Sequence, residues 1–255
     1  MQTTAKYGLL GHPLGHSFSR GFHTERFARL GIDAVYENFD LPDLAELPAV
    51  LAREPQLRGL NVTIPYKQAV MAYLDELDPL AERIGAVNVV RVERRADGSV
   101  RLTGHNSDIV GFRDSIRPLL GPSHCRALLL GTGGASKAVR VALEDLGIAC
   151  TYVSRRRQET PCGTALTYDE LTPEVMAAHT VVVNCSPVGM FPHVDECPAI
   201  PYDALTPQHV CYDVIYNPDP TLFMRRAAEC GATVKGGREM LEGQAIESYR
   251  LWTEG

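Results

Sequence analysis

The segment Ala127-Leu128-Leu129-Leu130-Gly131-Thr132-Gly133-Gly134-Ala135-Ser136 joins a short apolar run to a glycine-rich turn. Apolar residues then recur at the spacing of one helix face, at Val139, Ala142, Leu143 and Leu146. A strand that passes through glycines into a helix is the context of the dinucleotide fingerprint G-x-G-x-x-G. Gly131 permits the tight turn, Gly133 lets the backbone approach a pyrophosphate, and the first N–H groups of the helix bind that anion. Ser136 departs from the Gly or Ala of the third position, and a glycine turn without a ligand is the alternative interpretation.

The segment after the next predicted strand indicates which dinucleotide is bound. Residues 150–153 form that strand, and Ser154-Arg155-Arg156-Arg157 follows it. An NAD site would place Asp or Glu here to hold the ribose 2′-hydroxyl. Guanidinium groups suit a 2′-phosphate instead, because they bind its oxygens in bidentate fashion. A solvated basic loop is the alternative, but together with the glycine turn the arginines favour NADP over NAD.

The rest of this half alternates strands with helices or loops. Further strands are predicted at residues 181–184, 210–215 and 233–234. Alternating strands and helices predict a parallel sheet with helices on both faces. A last helix is predicted over residues 238–252, with Met240, Leu241, Ala245 and Trp252 on its apolar side.

The N-terminal part of the chain is also predicted to be α/β, with some antiparallel pairing. Strands are predicted at residues 7–10, 35–39 and 60–62, and a helix at residues 19–30. Residues 87–92 and 100–102 flank Asp97-Gly98, which predicts a hairpin with a two-residue turn.

Composition excludes several classes of protein. The 255 residues are 45% hydrophobic and 22% charged, with a net charge of −6. That length fits one large domain or two small ones that share a cleft. A surface for nucleic acid or an anionic membrane would need a basic excess. The apolar stretch that follows residues 1–8 is broken by glycine and proline, and it is too short for a signal-peptide core or a membrane span. We therefore predict a cytoplasmic protein with neither nucleic acid nor membrane as partner. We expect it to be a monomer or a homodimer.

Cysteine and histidine spacing does not favour a metal site. The seven cysteines are odd in number and form no Cys-x-x-Cys pair, as expected for free thiols in a reducing compartment. His12 and His16 are four residues apart, but Pro13 and Gly15 between them favour a loop over a metal-binding helix. No metal is predicted.

Small polar residues concentrate in three segments where the chain is expected to turn at strand ends. These segments are residues 11–19, 59–67 and 104–112. Ser17 or Ser19, Thr63 and Asp108 all suit the N-cap position of a helix. For any one segment alone, capping is a sufficient explanation.

Taken together, the segments resemble the shikimate dehydrogenase family. The matching stretches are His16-Ser17-Phe18-Ser19, Asn61-Val62-Thr63-Ile64-Pro65-Tyr66-Lys67, Gly85-Ala86-Val87-Asn88, Asn106-Ser107-Asp108-Ile109-Val110-Gly111-Phe112, Asn184-Cys185-Ser186-Pro187-Val188-Gly189-Met190, Asp213-Val214-Ile215-Tyr216 and residues 237–244. They occur in order over nearly the whole chain, which makes the resemblance specific. It implies a substrate-binding α/β domain over residues 1–104, rejoined by residues 237–255. It also implies a Rossmann-type NADP domain over residues 105–236.

The resemblance implies the NADPH-dependent, reversible reduction of 3-dehydroshikimate to shikimate in chorismate and aromatic amino-acid biosynthesis. Lys67 would be the catalytic acid or base and Asp108 its partner. The substrate would be bound by Ser17, Ser19, Asn61, Thr63, Asn88, Tyr216 and Gln244. NADP would be held by Gly131, Thr132, Gly133, Gly134, Ala135, Ser154, Arg155 and Arg156, with Val214 and Gly237 near the nicotinamide.

The chemistry of these side chains agrees with the implied reaction. Reducing a ketone needs a hydride on carbon, which NADPH supplies, and a proton on oxygen. A lysine ammonium can donate that proton and stabilise the developing alkoxide, and a neighbouring carboxylate keeps it charged. Gln244 places a polar group on the apolar stripe of the last helix, which is unusual unless a ligand needs it.

Several positions depart from the family pattern. Arg20 stands where the family usually has Pro and adds a cation near the implied carboxylate site, and Thr24 replaces Asn. Ser107 and Arg156 both replace Thr, so the role of Arg156 is open. One alternative is a quinate/shikimate enzyme that prefers NAD, against which Ser154-Arg155 argues. The other is a non-catalytic NADP-binding regulator, which would be expected to lack Lys67 or Asp108.

Overall fold

Two compact units divide the chain in the computed structural model, which describes residues 4–15 and 18–254. Unit 1 comprises Met1–Ser107 and Ala245–Gly255, and unit 2 comprises Asp108–Gln244. The chain therefore leaves unit 1 once and returns to it with its last residues.

Unit 1 is built on a mixed sheet. Its strands are β1 (Ala5–Gly11), β2 (Ala34–Asp40), β3 (Leu57–Val62), β4 (Glu76–Leu77), β5 (Val89–Arg94) and β6 (Val100–His105). Its helices are α1 (Phe18–Leu30), α2 (Leu47–Arg53) and α3 (Pro79–Ile84), with 3-10 turns at Leu44–Glu46 and Ala69–Tyr73. The strand order is β2-β1-β3-β5-β6-β4, and β5 runs antiparallel to both β3 and β6. The predicted α/β class with antiparallel pairing is confirmed.

The sheet of unit 1 buries apolar side chains on both faces, because successive residues of a strand point to opposite sides. In β1, Leu10 belongs to a core on one face that includes Leu47. Tyr7 points the other way and stacks on Trp252, with ring centroids 4.7 Å apart. Burying a large apolar side chain stabilises a fold by about 1.5–3 kcal/mol, so these two layers hold the sheet between α1, α2 and the last turns of the chain.

The hairpin predicted around Asp97-Gly98 is present, but its turn is longer than two residues. The last cross-strand pair joins Arg94 to Val100, which leaves residues 95–99 in the loop. Asp97 Oδ1 accepts hydrogen bonds from both the backbone N and the Oγ of Ser99, at 2.8 and 2.7 Å. These side-chain bonds stabilise a wider turn than the Asp-Gly pair alone predicts.

Unit 2 is built on a parallel sheet. Its strands are β7 (Arg126–Leu130), β8 (Ala149–Ser154), β9 (Glu159–Thr160), β10 (Gly163–Thr164), β11 (Leu166–Thr167), β12 (Val181–Asn184), β13 (Val210–Asp213) and β14 (Thr233–Lys235). Its helices are α4 (Asp108–Ile116), α5 (Gly134–Asp145), α6 (Pro173–Ala178) and α7 (Leu222–Glu229), with 3-10 turns at Arg117–Leu119, Tyr168–Glu170 and Tyr202–Ala204. The parallel sheet has the order β11-β8-β7-β12-β13-β14, and β9 and β10 form a separate hairpin.

Helices cover both faces of this sheet, as predicted. On β13, Cys211 belongs to a core that includes Phe223 of α7, whereas its neighbour Tyr212 contacts Phe112 of α4 with ring centroids 4.9 Å apart. Every residue of β12 and β13 is buried, as is typical of parallel sheets with two covered faces. The strand order reverses between β7 and β12, and ligands of such folds bind beyond the carboxyl ends at that point.

Two predicted elements differ in their ends. The strand predicted at residues 210–215 stops at Asp213, because the backbone N of Ile215 donates to Asp213 Oδ1 at 3.0 Å instead of continuing the ladder. The last helix, α8 (Arg238–Thr253), is confirmed over nearly its predicted length and runs from unit 2 into unit 1.

Candidate functional site

Strand direction brings the predicted polar residues of unit 1 to one edge of its sheet. Because β5 is antiparallel to β3 and β6, its first residues lie beside the last residues of both. Val62 donates its backbone N–H to Asn88 O at 2.8 Å, and Asn88 donates to His105 O at 3.1 Å. The N–H of Val87 donates to Lys67 O at 2.7 Å. The segments that carry Asn61, Lys67 and Asn88 therefore meet at this edge.

A buried hydrogen-bond network links the amide side chains at that edge. Asn61 Oδ1 accepts from Tyr36 Oη at 2.8 Å, and Asn61 Nδ2 donates to Ser248 Oγ at 2.8 Å. The hydroxyls of Ser248 and Ser107 lie 3.0 Å apart. Asn88 Nδ2 donates to Ser107 Oγ at 3.0 Å, and Asn88 Oδ1 accepts from the N–H of Ser107 at 2.7 Å. Each amide is held in one orientation by these bonds.

Three members of this network were not predicted as site residues: Tyr36, Ser107 and Ser248. Ser248 lies four residues after Gln244 on α8, so the two side chains share one face of the helix. The helical spacing that indicated Gln244 could therefore also have indicated Ser248. The sequence of β2 has no pattern that marks Tyr36 as a site residue. The pairing of β1 with both β2 and β3 brings its hydroxyl beside Asn61.

The other predicted substrate residues of unit 1 lie around the network. Ser17 lies outside the described residues. Ser19 is half-buried in the first turn of α1 and hydrogen-bonds Tyr36; burial raises the pKa of Tyr36, and this bond opposes the rise. Thr63 and Lys67 follow the carboxyl end of β3 and are both half-buried. Lys67 thus lies in the turn that immediately follows the strand carrying Asn61.

His23 lies beneath the network as an uncharged aromatic group. Its ring stacks on Tyr36 with centroids 4.6 Å apart and an interplanar angle of 11°. Burial, and secondarily the nearby Arg26, lowers the pKa of His23 to about 3. Among the described residues, neither ring nitrogen of His23 has a hydrogen-bond partner. The imidazole therefore supports the Tyr36 ring by packing.

The remaining predicted catalytic and substrate residues belong to unit 2. Asp108 is the first residue of α4 and is buried. Gln244 is buried near the middle of α8, where its Nε2 donates to Leu241 O at 3.0 Å. Tyr216 follows β13 and is 39% exposed.

The glycine-rich loop of unit 2 has the geometry that a pyrophosphate needs. Gly131 has φ +109°, in the region that favours glycine, and its N–H donates to Val153 O at 2.8 Å. Gly133 is the N-cap of α5, and a side chain added to it would meet no atom within 4 Å among its described neighbours. The space above it is open, and the first turn of α5 has no acidic residue. Phosphate oxygens can therefore reach the first N–H groups of α5.

The contacts of Ser136 explain why a serine fits the third position of the fingerprint, where Gly or Ala is usual. It is fully buried, its Oγ donates to Gly133 O at 2.7 Å, and its carbonyl accepts from Tyr152 Oη at 3.3 Å. A serine here fastens the loop to the helix while remaining small enough for the helix to lie close to β8.

The three arginines after β8 differ in their surroundings. All three are exposed, and Ser154 donates its hydroxyl to the carbonyl of Arg156, which shapes the turn. Arg157 forms an ion pair with Glu170. Arg155 lies near Tyr168 and opposes the burial-induced rise in the pKa of that phenol. The loop fits a 2′-phosphate, with Arg155 and Arg156 as the candidate ligands.

The segments after β13 and β14 approach each other closely. A Cβ added to Gly237 would lie 2.2 Å from Val214 O, so only glycine fits here. Val214 itself is half-buried, and its N–H donates to Asn184 O at 3.1 Å. These positions lie at the carboxyl edge of the parallel sheet, where Thr132 and the glycine loop also lie.

Two kinds of feature are absent from the described part of the chain. No helix within residues 4–15 and 18–254 combines the length and apolar character needed to cross a bilayer. Over the same residues, no group of three His, Cys, Asp or Glu side chains could hold a metal ion, and all seven cysteines are free thiols.

Known proteins similar to this chain match it over nearly its full length. The chain is 35% identical to the NADP(+) shikimate dehydrogenase of Desulforamulus reducens, over 96% of this chain and 89% of that protein. It is 37% identical to the enzyme of the same name from Moorella thermoacetica, over 98% of this chain and 88% of that protein.

The chain belongs to the shikimate dehydrogenase family. The family model for the shikimate dehydrogenase substrate binding domain matches residues 9–90, a range that contains Ser19, Asn61, Thr63, Lys67 and Asn88. The structure of the family member from Thermus thermophilus, solved with NADP(H) and shikimate, superposes with a TM-score of 0.82 at 33% identity. That alignment covers 98% of this chain and 94% of the other. The family prediction is confirmed, and so is the predicted fold class.

Proposed function

We propose that this chain catalyses the reversible, NADP-dependent reduction of 3-dehydroshikimate to shikimate, a step of aromatic amino-acid biosynthesis. The observation that carries the proposal is the polar edge of the unit 1 sheet, where Asn61, Asn88 and Lys67 lie on adjoining segments. Relatives named for this activity match almost the whole chain.

NADP, when bound, supplies and accepts the hydride of the reaction. The glycine loop Gly131, Thr132, Gly133, Gly134 and Ala135 would hold its pyrophosphate, and Ser154, Arg155 and Arg156 its 2′-phosphate. Val214 and Gly237 would lie beside the nicotinamide. The open space over Gly133 and the exposed guanidinium groups support these roles.

Lys67 would donate the proton to the carbonyl oxygen, and Asp108 would assist it. A lysine ammonium carries positive charge at neutral pH, so it also stabilises the negative charge that develops on that oxygen. In the reverse direction the same nitrogen, uncharged, would accept the proton from the shikimate hydroxyl.

Polar side chains would bind the hydroxyls and the carboxylate of the substrate. Ser17, Ser19 and Tyr216 are proposed for the carboxylate, and Asn61, Thr63, Asn88 and Gln244 for the ring hydroxyls. We accordingly assign substrate binding to the domain over residues 1–104 and 237–255, and NADP binding to the domain over residues 105–236. A small-molecule partner, a cytoplasmic location and a monomeric or homodimeric state complete the proposal.

The direct test is an assay of the purified chain with 3-dehydroshikimate, following the absorbance of NADPH, with NADH and with quinate in parallel. We expect turnover that prefers NADPH. Equal or better use of NADH would overturn the cofactor assignment and leave the enzyme. A folded chain that binds NADPH and turns over none of these substrates would overturn the catalytic proposal in favour of a binding protein.

A further inference from the structure

A carboxylate that has no assigned role is buried at the carboxyl edge of the unit 2 sheet. Asp213 is fully buried, and Asn184 lies directly opposite it in the register of β12 and β13. Asp213 accepts hydrogen bonds from Asn184 Nδ2 at 3.1 Å, from the N–H of Ile215 at 3.0 Å and from Thr221 Oγ1 at 2.7 Å. We call Asp213, Asn184, Ser186 and Thr221 the Asp213 cluster.

The amide of Asn184 extends the cluster into the segment after β12. Asn184 Oδ1 accepts from both the N–H and the Oγ of Ser186, at 3.1 and 2.7 Å. Asn184 Nδ2 also donates to Val188 O at 3.3 Å, and the N–H of Val188 donates to Ser186 Oγ at 3.3 Å. Residues 184–188 are thereby fastened to Asp213 through one amide side chain.

The carboxylate itself fastens both ends of the segment after β13. Ile215 lies at the beginning of that segment, and Thr221 at its end is the N-cap of α7. Between them lies Tyr216, and the N–H of Gly237 donates to Ile215 O at 3.0 Å. One charged group therefore fixes the loop over residues 214–221 at two points.

Burying the charge of Asp213 is costly. Burial raises the pKa of Asp213 to about 6, and the bonds from Thr221, Ile215 and Asn184 oppose that rise. The group is therefore mainly ionised at neutral pH, where it needs its three donors. A packed apolar residue would cost less to bury, but it could accept none of the three hydrogen bonds by which Asp213 fixes Asn184, Ile215 and Thr221.

We propose that Asp213 and Thr221 are positioning residues that hold the loop over residues 214–221, and with it Val214 and Tyr216, in the geometry required for hydride transfer. The inference rests on the proposed function, because it uses the roles of Val214 beside the nicotinamide and Tyr216 at the substrate carboxylate. It predicts that loosening this loop affects the chemical step and substrate binding more than it affects cofactor binding. The adenosine end of NADP is assigned to the loops after β7 and β8. Ser186 of the cluster lies beside Gly131 in the first of these loops, whereas Asp213 and Thr221 form their side-chain hydrogen bonds with each other and with Asn184, Ile215 and Met224.

Thr221→Val is the test variant, because Asp213→Ala would leave several buried donors without a partner and endanger folding. We expect Thr221→Val to lower kcat/KM for shikimate by about 10- to 100-fold, the loss typical of a misplaced reacting group. NADPH affinity should change by less than about threefold, and Thr221→Ser, which keeps the hydroxyl, should restore activity. Kinetics, NADPH fluorescence titration and thermal melting measure these quantities.

Tyr212→Phe is the matched control on the same strand. It removes a buried hydroxyl that lies 2.7 Å from Ser115 Oγ, outside the Asp213 cluster. The control should lower the melting temperature without changing kcat or KM. If Thr221→Val also lowers only the melting temperature, the positioning role is wrong.

Hydrogen exchange separates failure of this inference from failure of the proposed function. Amide exchange in residues 185–188 and 214–221 should rise in Thr221→Val and stay unchanged in Tyr212→Phe, whether or not shikimate is the substrate. Absence of wild-type turnover would contradict the proposed function alone. Unchanged exchange in both segments would contradict the positioning role.

Discussion

The two units place polar groups at the edges of their sheets in different ways. Among the described residues of unit 1 the polar groups buried there are uncharged, and Tyr36, Asn61 and Ser248 hydrogen-bond one another. Unit 2 buries a carboxylate, Asp213, and surrounds it with donors. Neutral groups cost less to bury and can still bind a hydroxylated ligand, whereas a buried charge imposes a strict geometry on the backbone around it. The difference suits the hydroxyl binding that we propose for unit 1 and the loop positioning that we propose for unit 2.

The buried titratable groups of the two units also respond to pH in opposite directions. His23 lies among aromatic rings, and burial lowers its pKa to about 3. Burial raises the pKa of Asp213 to about 6. In both cases desolvation disfavours the charged form. Removing each group in turn would therefore separate the acid sensitivity of one unit from that of the other.

The largest effect, a loss of kcat, is expected on replacing Lys67 in unit 1. Lys67→Met should lower kcat by about 10²- to 10⁴-fold, the usual contribution of a general acid, with NADPH affinity nearly unchanged. Lys6→Met is the control, because Lys6 lies at the amino end of β1 and pairs with Glu37 and Glu54 at 3.0 and 2.8 Å. It should cost stability and leave kcat intact. Equal losses of kcat and NADPH affinity in Lys67→Met would contradict its catalytic role.

The next effect concerns stability in acid. The folded-state pKa of His23 is about 3, below its ordinary value of 6.5, so its contribution is present above pH 6.5 and is lost as pH falls. Between about pH 6.5 and about pH 4.5 this loss amounts to about 2 kcal/mol of unfolding free energy. His23→Phe should remove it, as measured by urea unfolding across that range. Parallel pH curves for the two proteins would show that His23 does not titrate as described.

Asp213→Asn should change the pH dependence of the unfolding free energy in the opposite direction to His23→Phe. The folded-state pKa of Asp213 is about 6 against an ordinary 3.8, so its contribution is present below pH 3.8 and is lost as pH rises through 6. The nearby Asp219 adds to the rise in pKa. Acidification from about pH 6 to about pH 4.5 should stabilise the wild type relative to the variant by about 2 kcal/mol. A variant that gains as much as the wild type would contradict this assignment.

A smaller effect, on KM for NADPH, should distinguish Arg155 from Arg157 in unit 2. Arg155→Gln should raise KM for NADPH by about 10- to 100-fold, since a charge-assisted hydrogen bond contributes about 1.5–3 kcal/mol, and should leave KM for NADH unchanged. Arg157→Gln is the control, because Arg157 is paired with Glu170, and its effect should stay below about threefold. A larger loss in Arg157→Gln would reverse the assignment of the two side chains.

The smallest effect is expected from removing one hydroxyl of the unit 1 network. Tyr36→Phe loses the bond to Asn61 and should cost about 1 kcal/mol of stability, with a rise of a few-fold in KM for shikimate. Tyr202→Phe loses a comparable bond, to Pro198 O at 2.9 Å in unit 2, and should lower stability alone. If KM responds equally in both, the unit 1 network has no special connection to substrate.

Local sequence patterns were enough to predict much of the fold and the family of this protein. The glycine loop after an apolar strand specified the parallel unit, since periodicity and turn chemistry act over a few residues. The ordered motifs identified the family, and the apolar stripe with Gln244 located α8. The same kind of evidence predicted too short a turn at Asp97-Gly98, where bonds from Ser99 widened the loop.

Only the tertiary structure decided which distant residues meet. Ser248 bonds Asn61 from the far end of the chain, and Tyr36 reaches the same amide because β1 lies between β2 and β3. The pairing of Arg157 with Glu170 likewise depends on contacts formed after the chain has folded. Strand order and register set these contacts, and they follow from packing the whole sheet, which no local spacing encodes.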